Sequence, residues 1–356
     1  MIFAVERFAK IIKDRRNMLA ATALPVAGVA ASLLFSAILI GLAGINPLTA
    51  YSALLEGAIG NIDQLASGLN HATPLMLAGV GVVIAFRAGA FNIGAEGQIA
   101  LGGLGATIIA LLAVDLPRPL PVLVGLLGGA LAGGIWAAVA ALITLWRGVH
   151  EVVVTLLLNF VALLFIGFLL AGPLGQPGMG FPQSPLLPQT SLLPIIFPGT
   201  DLHAGIIFAL LCIFVVHVIL WKMPVGFEMR VAGQSVSVAR YAGISVRKTF
   251  MLAMFASGLL AGLAGAIQIL GIHYRLIEGF SQGFGFDAIA VALLSGLNPV
   301  GVVPASLFVG FLRAGAGFMQ RSAGVPSAIV FVIQGLAILF VLASLAARPK
   351  AKAALA

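Results

Sequence analysis

Long apolar runs separated by short polar breaks set the pattern of this chain. A helix that crosses a bilayer needs about 20 apolar residues, with a range of about 17–25. Ten runs meet or approach that length: 18–41, 64–86, 96–114, 121–146, 152–171, 203–221, 249–271, 284–297, 302–318 and 325–346. The eighth and ninth are short. The eighth suits a half-helix or a buried segment better than a lipid-facing span. The pattern therefore predicts an all-α fold, a polytopic transmembrane helical bundle of about ten helices with short or re-entrant segments. Residues 1–17 form an N-terminal segment, 18–346 the transmembrane domain and 347–356 a tail. The uncharged run that starts at Met18 is too long for a signal-peptide core of about 7–15 residues, so it reads as an uncleaved first helix.

The breaks between runs carry the information. Residues 86–98, FRAGAFNIGAEGQ, place Arg87, Asn92, Glu96 and Gln98 beside hydrocarbon. Irregular backbone and polar groups at that depth need protein or water around them. The stretch is either a turn or a re-entrant segment lining a cavity. Asn92 is placed to cap a helix starting near Ile93, with Glu96 in its first turn, where the helix dipole favours a carboxylate. Residues 172–202 hold seven prolines and should be extended and non-helical. Residues 46–63 read as a mildly acidic connection, through Glu56 and Asp63. Residues 222–248 form the longest basic loop, with a short helix expected over 236–242 and broken by Gly243. Within the runs, Gly125, Gly129 and Gly133 recur at four-residue spacing, as do Gly258 and Gly262, which predicts close helix packing.

Charge sets the orientation. If the segments alternate from an inner N-terminus, the inner side receives Arg7, Lys10, Lys13, Arg15, Arg16, Arg87, Arg147, Lys222, Arg230, Arg240, Arg247, Lys248, Arg348, Lys350 and Lys352. Only Arg118, Arg275 and Arg321 fall outside, and Arg313 lies within the ninth run. The positive-inside rule then puts both termini and 222–248 in the cytoplasm and 172–202 outside. Composition agrees: 61% of residues are hydrophobic and 8% charged, with mean hydropathy +1.15, whereas soluble domains carry about 25% charged residues. The net charge of +8 is divided among short inter-helix segments, which argues against nucleic acid. The single cysteine, Cys212, can form no internal disulfide.

Enzyme chemistry is not expected. No GxxxxGK phosphate loop occurs, and His150-Glu151 lacks the second histidine of a zinc site because position 154 is Val154. His71, His203, His217 and His273 form no ligand cluster, so neither metal nor cofactor is expected. Intramembrane polar residues are candidates for a transport path: Asn92, Glu96, Gln98, Asn159, Gln268, Asp287, Asn298 and Gln334. Asp287 lies in GFGFDAIA beside Phe284 and Phe286, and aromatic faces with a few polar groups suit a neutral ring-containing solute. Helix capping is the competing role for Asp287.

Four stretches also carry a family resemblance: ATPLMLAGVGVVIA (72–85) with FRAGAFNIGAEGQ, ARYAGISVRKT (239–249), GFGFDAIAVALLSGLNPVG (283–301) and the N-terminal anchor. From about residue 64 to 345 the chain resembles permease subunits of ATP-binding cassette importers, in the nucleoside and simple-sugar branch related to ribose-type and branched-chain amino acid permeases. The resemblance implies import of a neutral small solute, a nucleoside first, across the bacterial cytoplasmic (inner) membrane. The alternatives are a simple sugar such as ribose or, outside this class, an ion-coupled secondary transporter. It implies an ATP-binding cassette subunit that hydrolyses the ATP, a second permease, identical or homologous, and an extracytoplasmic solute-binding protein. On this reading Asn92, Glu96, Gln98, Asn159, Gln268, Phe284, Phe286 and Asp287 line the substrate path. Arg240, Tyr241, Ala242 and Gly243 couple to the ATPase through a cytoplasmic helix. One departure stands out: Gln234-Ser235-Val236 replaces the acidic–Asn–Pro-like lead usual before the Ala-Arg-Tyr-Ala-Gly core.

Overall fold

The computed structural model describes residues 27–346 apart from Met179. The expected span from residue 18 thus has its first nine residues outside the described part, as do the N-terminal segment and the tail of 347–356. The described chain is helical, without strands: α1 (Ala27–Leu42), α2 (Pro47–Ile59), α3 (Ile62–Arg87), α4 (Ala95–Leu112), α5 (Leu120–Arg147), α6 (Glu151–Ala171), α7 (Gly205–Lys222), α8 (Pro224–Gln234), α9 (Val236–Tyr241), α10 (Val246–Gln268), α11 (Phe284–Leu294), α12 (Pro299–Ala323) and α13 (Ser327–Ala346). Among the described residues, seven helices are long and apolar enough to cross a bilayer; α1, α11 and the Ser327–Ala343 part of α13 are shorter apolar segments.

Several expectations are corrected. Residues 46–63 are mostly the helix α2, started by Asn46, whose side chain accepts from Leu48 N, and by Pro47 at the first helical position. Such starts need no amide at the first turn, so proline favours them. The ninth run is the 25-residue α12, which continues through Pro304. In the basic loop 222–248 the short helix expected over 236–242 is present as α9, but a second, unexpected helix, α8, precedes it; the two divide at Ser235, whose hydroxyl caps α9 by accepting from Val238 N.

The helices form two compact units, residues 61–311 and the described parts of 1–60 and 312–356. In the smaller unit, Ile40, Leu54, Met319, Val325, Val330 and Ile333 make the core. In the larger, α3 is central: 83% of its apolar window is buried, against 28% in α6 and in α7. The most apolar helices are thus the outer ones, as expected where lipid rather than water is the surrounding solvent. Helices α4, α5 and α10 approach through glycine. A methyl on Gly133 would meet Gly258 O at 2.5 Å and the Gly262 Cα at 2.5 Å, and one on Gly129 would meet Gly102 O at 2.7 Å.

The larger unit has two distinct ends. At one, Arg87, Arg147, Lys222, Arg230 and Arg240 lie on the helix termini and on α8 and α9. At the other, the described residues of the proline-rich segment are non-helical apart from one 3₁₀ turn at Gln189–Ser191, with further turns at 172–174, 177–178 and 198–199. It is pinned to the chain after α10 by Ser184 N to Leu276 O (2.9 Å), Leu187 N to Tyr274 O (2.9 Å) and Leu193 N to Leu270 O (2.9 Å). His203 closes this region; its Nδ1 accepts from Gly205 N at 3.1 Å, and burial pushes its pKa down to about 4, so the ring is neutral.

The glycine seam yields a test. Gly133→Leu forces backbone apart and should abolish a monodisperse peak in detergent size-exclusion chromatography, because overpacking costs about 1–3 kcal/mol per site even where neighbours can yield. Gly335→Leu, where nothing lies within 4 Å of the added carbon, should leave the peak unchanged.

Candidate functional site

The junction 86–98 turns back into the larger unit before α4 begins. Asn92 is fully buried and holds the turn: its Oδ1 accepts from Gly94 N (2.9 Å) and Gln98 Nε2 (3.0 Å), and its Nδ2 donates to Gln98 Oε1 (2.9 Å) and to Ser257 Oγ (2.9 Å). Asn159 on α6 accepts from Gly97 N (2.9 Å) and donates to Ile93 O (3.0 Å), while Thr155 Oγ1 accepts from Ile93 N at 3.3 Å. Asn92 therefore shapes the entry to α4, whose N-cap is Gly94, and does not itself cap the helix by a side-chain bond. The first amides of a buried helix have no intrahelical partner; here a neighbouring helix supplies one.

Glu96 does the same for another helix. Its carboxylate accepts from Ser281 Oγ (2.5 Å), Gly283 N (3.0 Å) and Gly285 N (2.8 Å), so it closes the N-terminus of α11 from the side. A methyl on Gly285 would land on the Glu96 backbone. The chain reaches this point by re-entry. After α10 a π-helical turn, Ile269–His273, ends in Tyr274 at φ 58, and residues 275–283 descend to Gln282 at φ 45 and Gly283 at φ 80. Beyond its other end at Leu294 the chain turns away through Gly296, φ 63, and Leu297, φ 58. Three non-glycine residues with positive φ thus bracket one short helix, and such strain gathers at functional sites. Arg87 holds the far end: Nε donates to Leu297 O (2.8 Å) and a terminal nitrogen donates to Gly296 O (3.3 Å). The Arg87 and Arg230 guanidiniums both lie over the Trp221 ring, at 5.3 and 4.6 Å from its centroid. That contact links α8 to α3 and to the end of α11.

A cavity of about 380 Å³ opens beside the re-entrant segment, within the size range of small-molecule sites. Helix α3 contributes Asp63, Ser67, Asn70 and His71; the outer loop contributes Gly199, Thr200 and Asp201. Gln268, Ile272 and His273 come from the end of α10 and its π turn, and Phe280, Gln282 and Phe284 from the re-entry. Exposure falls along the wall: Asp63, Asp201 and Gln282 are exposed, whereas Asn70, Gln268, Phe280 and Phe284 are buried. The His71 and Phe284 rings are 6.0 Å apart at 35°, and His273 meets Phe280 edge-on at 6.0 Å. Asn70 Oδ1 and Gln268 Nε2 are buried without a hydrogen-bond partner. None of the described lining residues is Lys or Arg. Just after the π turn, burial and then the Asp201 carboxylate push the Tyr274 phenol up.

The structure divides the residues expected from sequence. Gln268 and Phe284 line the cavity. Asn92 and Gln98 satisfy each other, Asn159 satisfies the backbone of the junction, and Glu96 sits directly behind the floor helix. Phe286 is 45% exposed and outside the lining; Asp287 lies half-buried in the first turn of α11. The cavity residues missed from sequence carried a signal. Asp63, Ser67, Asn70 and His71 recur at i, i+4, i+7 and i+8, a polar stripe along an apolar helix. Arg240, Tyr241, Ala242 and Gly243 are all exposed at the tip of α9, Tyr241 at 96%, and Gly243 turns the chain at φ 75.

Removing the Glu96 carboxylate leaves three buried donors unmatched, each worth about 1–3 kcal/mol. Glu96→Ala should therefore lower the apparent Tm of the detergent-solubilised protein well below that of Glu96→Gln, which keeps one acceptor. Equal Tm values for the two variants would contradict this role.

Comparison with known proteins accords with these features. The family model described as branched-chain amino acid transport system / permease component matches residues 64–342. The guanosine ABC transporter permease protein NupP of Bacillus subtilis is 37% identical, over 91% of this chain and 94% of its own. The glucose ABC transporter permease protein TsgB13 of Haloferax volcanii is 35% identical, over 90% and 87% respectively. The nucleoside ABC transporter permease protein NupB of Lactococcus lactis is 30% identical, over 92% and 93%. No solved structure matches. A match across most of the chain, joined to seven spans and a polar re-entrant core, makes this a multi-pass membrane protein that belongs to the branched-chain amino acid transport system / permease component family.

Proposed function

We propose that this chain is the permease subunit of an ATP-driven importer that brings nucleosides across a bacterial cytoplasmic membrane. The observation that carries the reading is the cavity: two aromatic pairs, two buried amides with open hydrogen-bonding atoms, and an acidic mouth without a cation among the described lining residues. Flat apolar faces with a few placed polar groups suit a neutral ring-containing solute. Two of the relatives above are named for guanosine or nucleoside permeases, which favours the nucleoside over the sugar. A simple-sugar reading has its own support in the glucose permease relative and in Asp63 and Asp201, since carboxylates accept from sugar hydroxyls.

The partners follow from the same reading. A separate ATP-binding cassette subunit hydrolyses ATP and engages α9 at the basic end. An extracytoplasmic binding protein delivers solute to the opposite end, and a second permease, identical or homologous, completes the path. Gln268 and Phe284 touch the solute, while Asn92, Glu96, Gln98 and Asn159 hold the frame around it. Tyr241 and Arg240 are suited to anchor a partner, because a large exposed aromatic and a guanidinium bury area and make directed hydrogen bonds.

Proteoliposomes with the ATPase, both permeases and the binding protein should accumulate labelled nucleoside only with ATP, and ribose or glucose in excess should not compete. Competition by sugar at nucleoside-like concentrations would transfer the assignment to the sugar. Transport by this chain alone down an ion gradient would overturn the ATP-driven reading. In the same preparation, Arg240→Glu with Tyr241→Ala should lower solute-stimulated ATP hydrolysis about five- to thirtyfold, the loss of one interface anchor of about 1–2 kcal/mol, while the permease still inserts. Unchanged association and hydrolysis would remove α9 as the link.

A further inference from the structure

We infer that Asn70 and Gln268 form a two-point reader for the lactam edge of a nucleobase, and that the base enters first, with the ribose left at the acidic mouth. The inference rests on the nucleoside reading above and specifies how that solute lies. The orientation of Asn70 is fixed by its neighbour: Nδ2 donates to Asp201 O at 2.7 Å. A carbonyl can only accept, so the Asn70 oxygen must face away from it and can offer only an acceptor. That oxygen is buried and unpartnered, in a side chain 5% exposed. Gln268, 2% exposed, buries an unpartnered Nε2 donor in the same cavity wall.

Buried polar atoms are almost always satisfied, so two open ones in one cavity mark where a ligand belongs. Together they require a ligand that donates to Asn70 and accepts from Gln268. An N–H beside a C=O in a six-membered ring, the edge of an oxopurine or oxopyrimidine, does both. The position of the pair argues for the base and against the sugar. Both amides lie at the buried end with Phe284, which is 2% exposed and near the His71 ring. A planar ring gains there from an aromatic face. The exposed Asp63 carboxylate lies about two helical turns away along α3, where hydroxyls can donate to it and where a phosphate would be repelled, while the exposed Asp201 borders the cavity through its carbonyl bond to Asn70. From Asp63 to Asn70 along α3 is about 10 Å at 1.5 Å per residue, a length that a nucleoside spans.

The test compares uptake of uridine and 3-methyluridine by the complete reconstituted complex. The methyl group blocks the lactam N–H and leaves the ribose intact. Wild-type complex should prefer uridine in Vmax/KM by at least about tenfold, the value of one buried hydrogen bond. Asn70→Ala removes the acceptor for the blocked N–H and should lower that ratio several-fold towards one, without raising uptake of 3-methyluridine above the wild-type level. The binding protein is common to every arm, so a change of ratio belongs to the permease. Asn70→Ala also loses the tie to Asp201, but a merely structural loss would lower both nucleosides alike and leave the ratio where it was. Gln268→Leu removes the donor to a ring carbonyl that both nucleosides keep, and should lower uridine uptake several-fold. Uridine uptake with a ratio near one in wild type, a ratio unchanged in Asn70→Ala, or uridine uptake unchanged in Gln268→Leu overturns the inference and leaves the nucleoside reading standing. Absence of any nucleoside uptake by the wild-type complex overturns that reading and this inference with it.

Discussion

A helix that begins inside a bilayer exposes amides that neither water nor lipid can satisfy. In this protein Glu96 resolves that problem for α11, accepting from Ser281 Oγ, Gly283 N and Gly285 N. Much else follows from that contact. It lets an 11-residue helix start part-way through the membrane, since α11 covers only about 16 Å of the hydrocarbon core of about 30 Å. The space above its N-terminus is then free for a cavity, floored by Phe284 and walled by the π turn of α10. The carboxylate is itself placed by α4, whose N-terminus is fixed by Asn92 and Asn159. A chain of buried polar contacts therefore runs from the outer helix α6 to the floor of the cavity.

The opposite end of α11 is held just as specifically. Arg87 binds the carbonyls of Gly296 and Leu297 and shares the Trp221 face with Arg230 of α8. Cations favour a helix C-terminus, and a guanidinium stacks on an indole where an ammonium would be less well matched. One short helix is thus clamped between a carboxylate at the cavity and a pair of arginines at the basic end. The residues that flank it, Tyr274, Gln282 and Leu297, have positive φ and mark where the backbone is held away from its preferred conformations.

The sequence showed the architecture more fully than the site. Apolar run lengths placed the long helices of the larger unit to within a few residues, because a membrane span must be both long and apolar and few other segments are. The junction at 86–98 was recognisable from its polar residues, but Glu96 and Asn92 look alike in sequence; only the fold shows that one serves α11 and the other α4. Helix α2 was missed because its 13 residues carry Glu56 and three hydroxyls, a pattern that reads as a loop when only span-length apolar runs are sought. The last five residues of α12 were missed because Gln320 and Arg321 end the apolar run without ending the helix. The cavity was hidden because its residues come from four separate segments, and Asp201 and Thr200 join them only through the fold of a proline-rich loop.

The central claim is that the chain re-enters, so that the two ends of α11 face opposite sides of the membrane. Single cysteines at Gln282→Cys and Asn298→Cys, in a Cys212→Ser background, test it in intact cells with a membrane-impermeant thiol reagent. Both native residues are exposed, one at the cavity mouth and one beyond the C-terminal end of α11. The account predicts that position 282 is labelled from outside and protected by excess nucleoside. Position 298 should be labelled only after the cells are opened. Labelling of 298 from outside, or of 282 only in opened cells, would contradict the re-entrant arrangement.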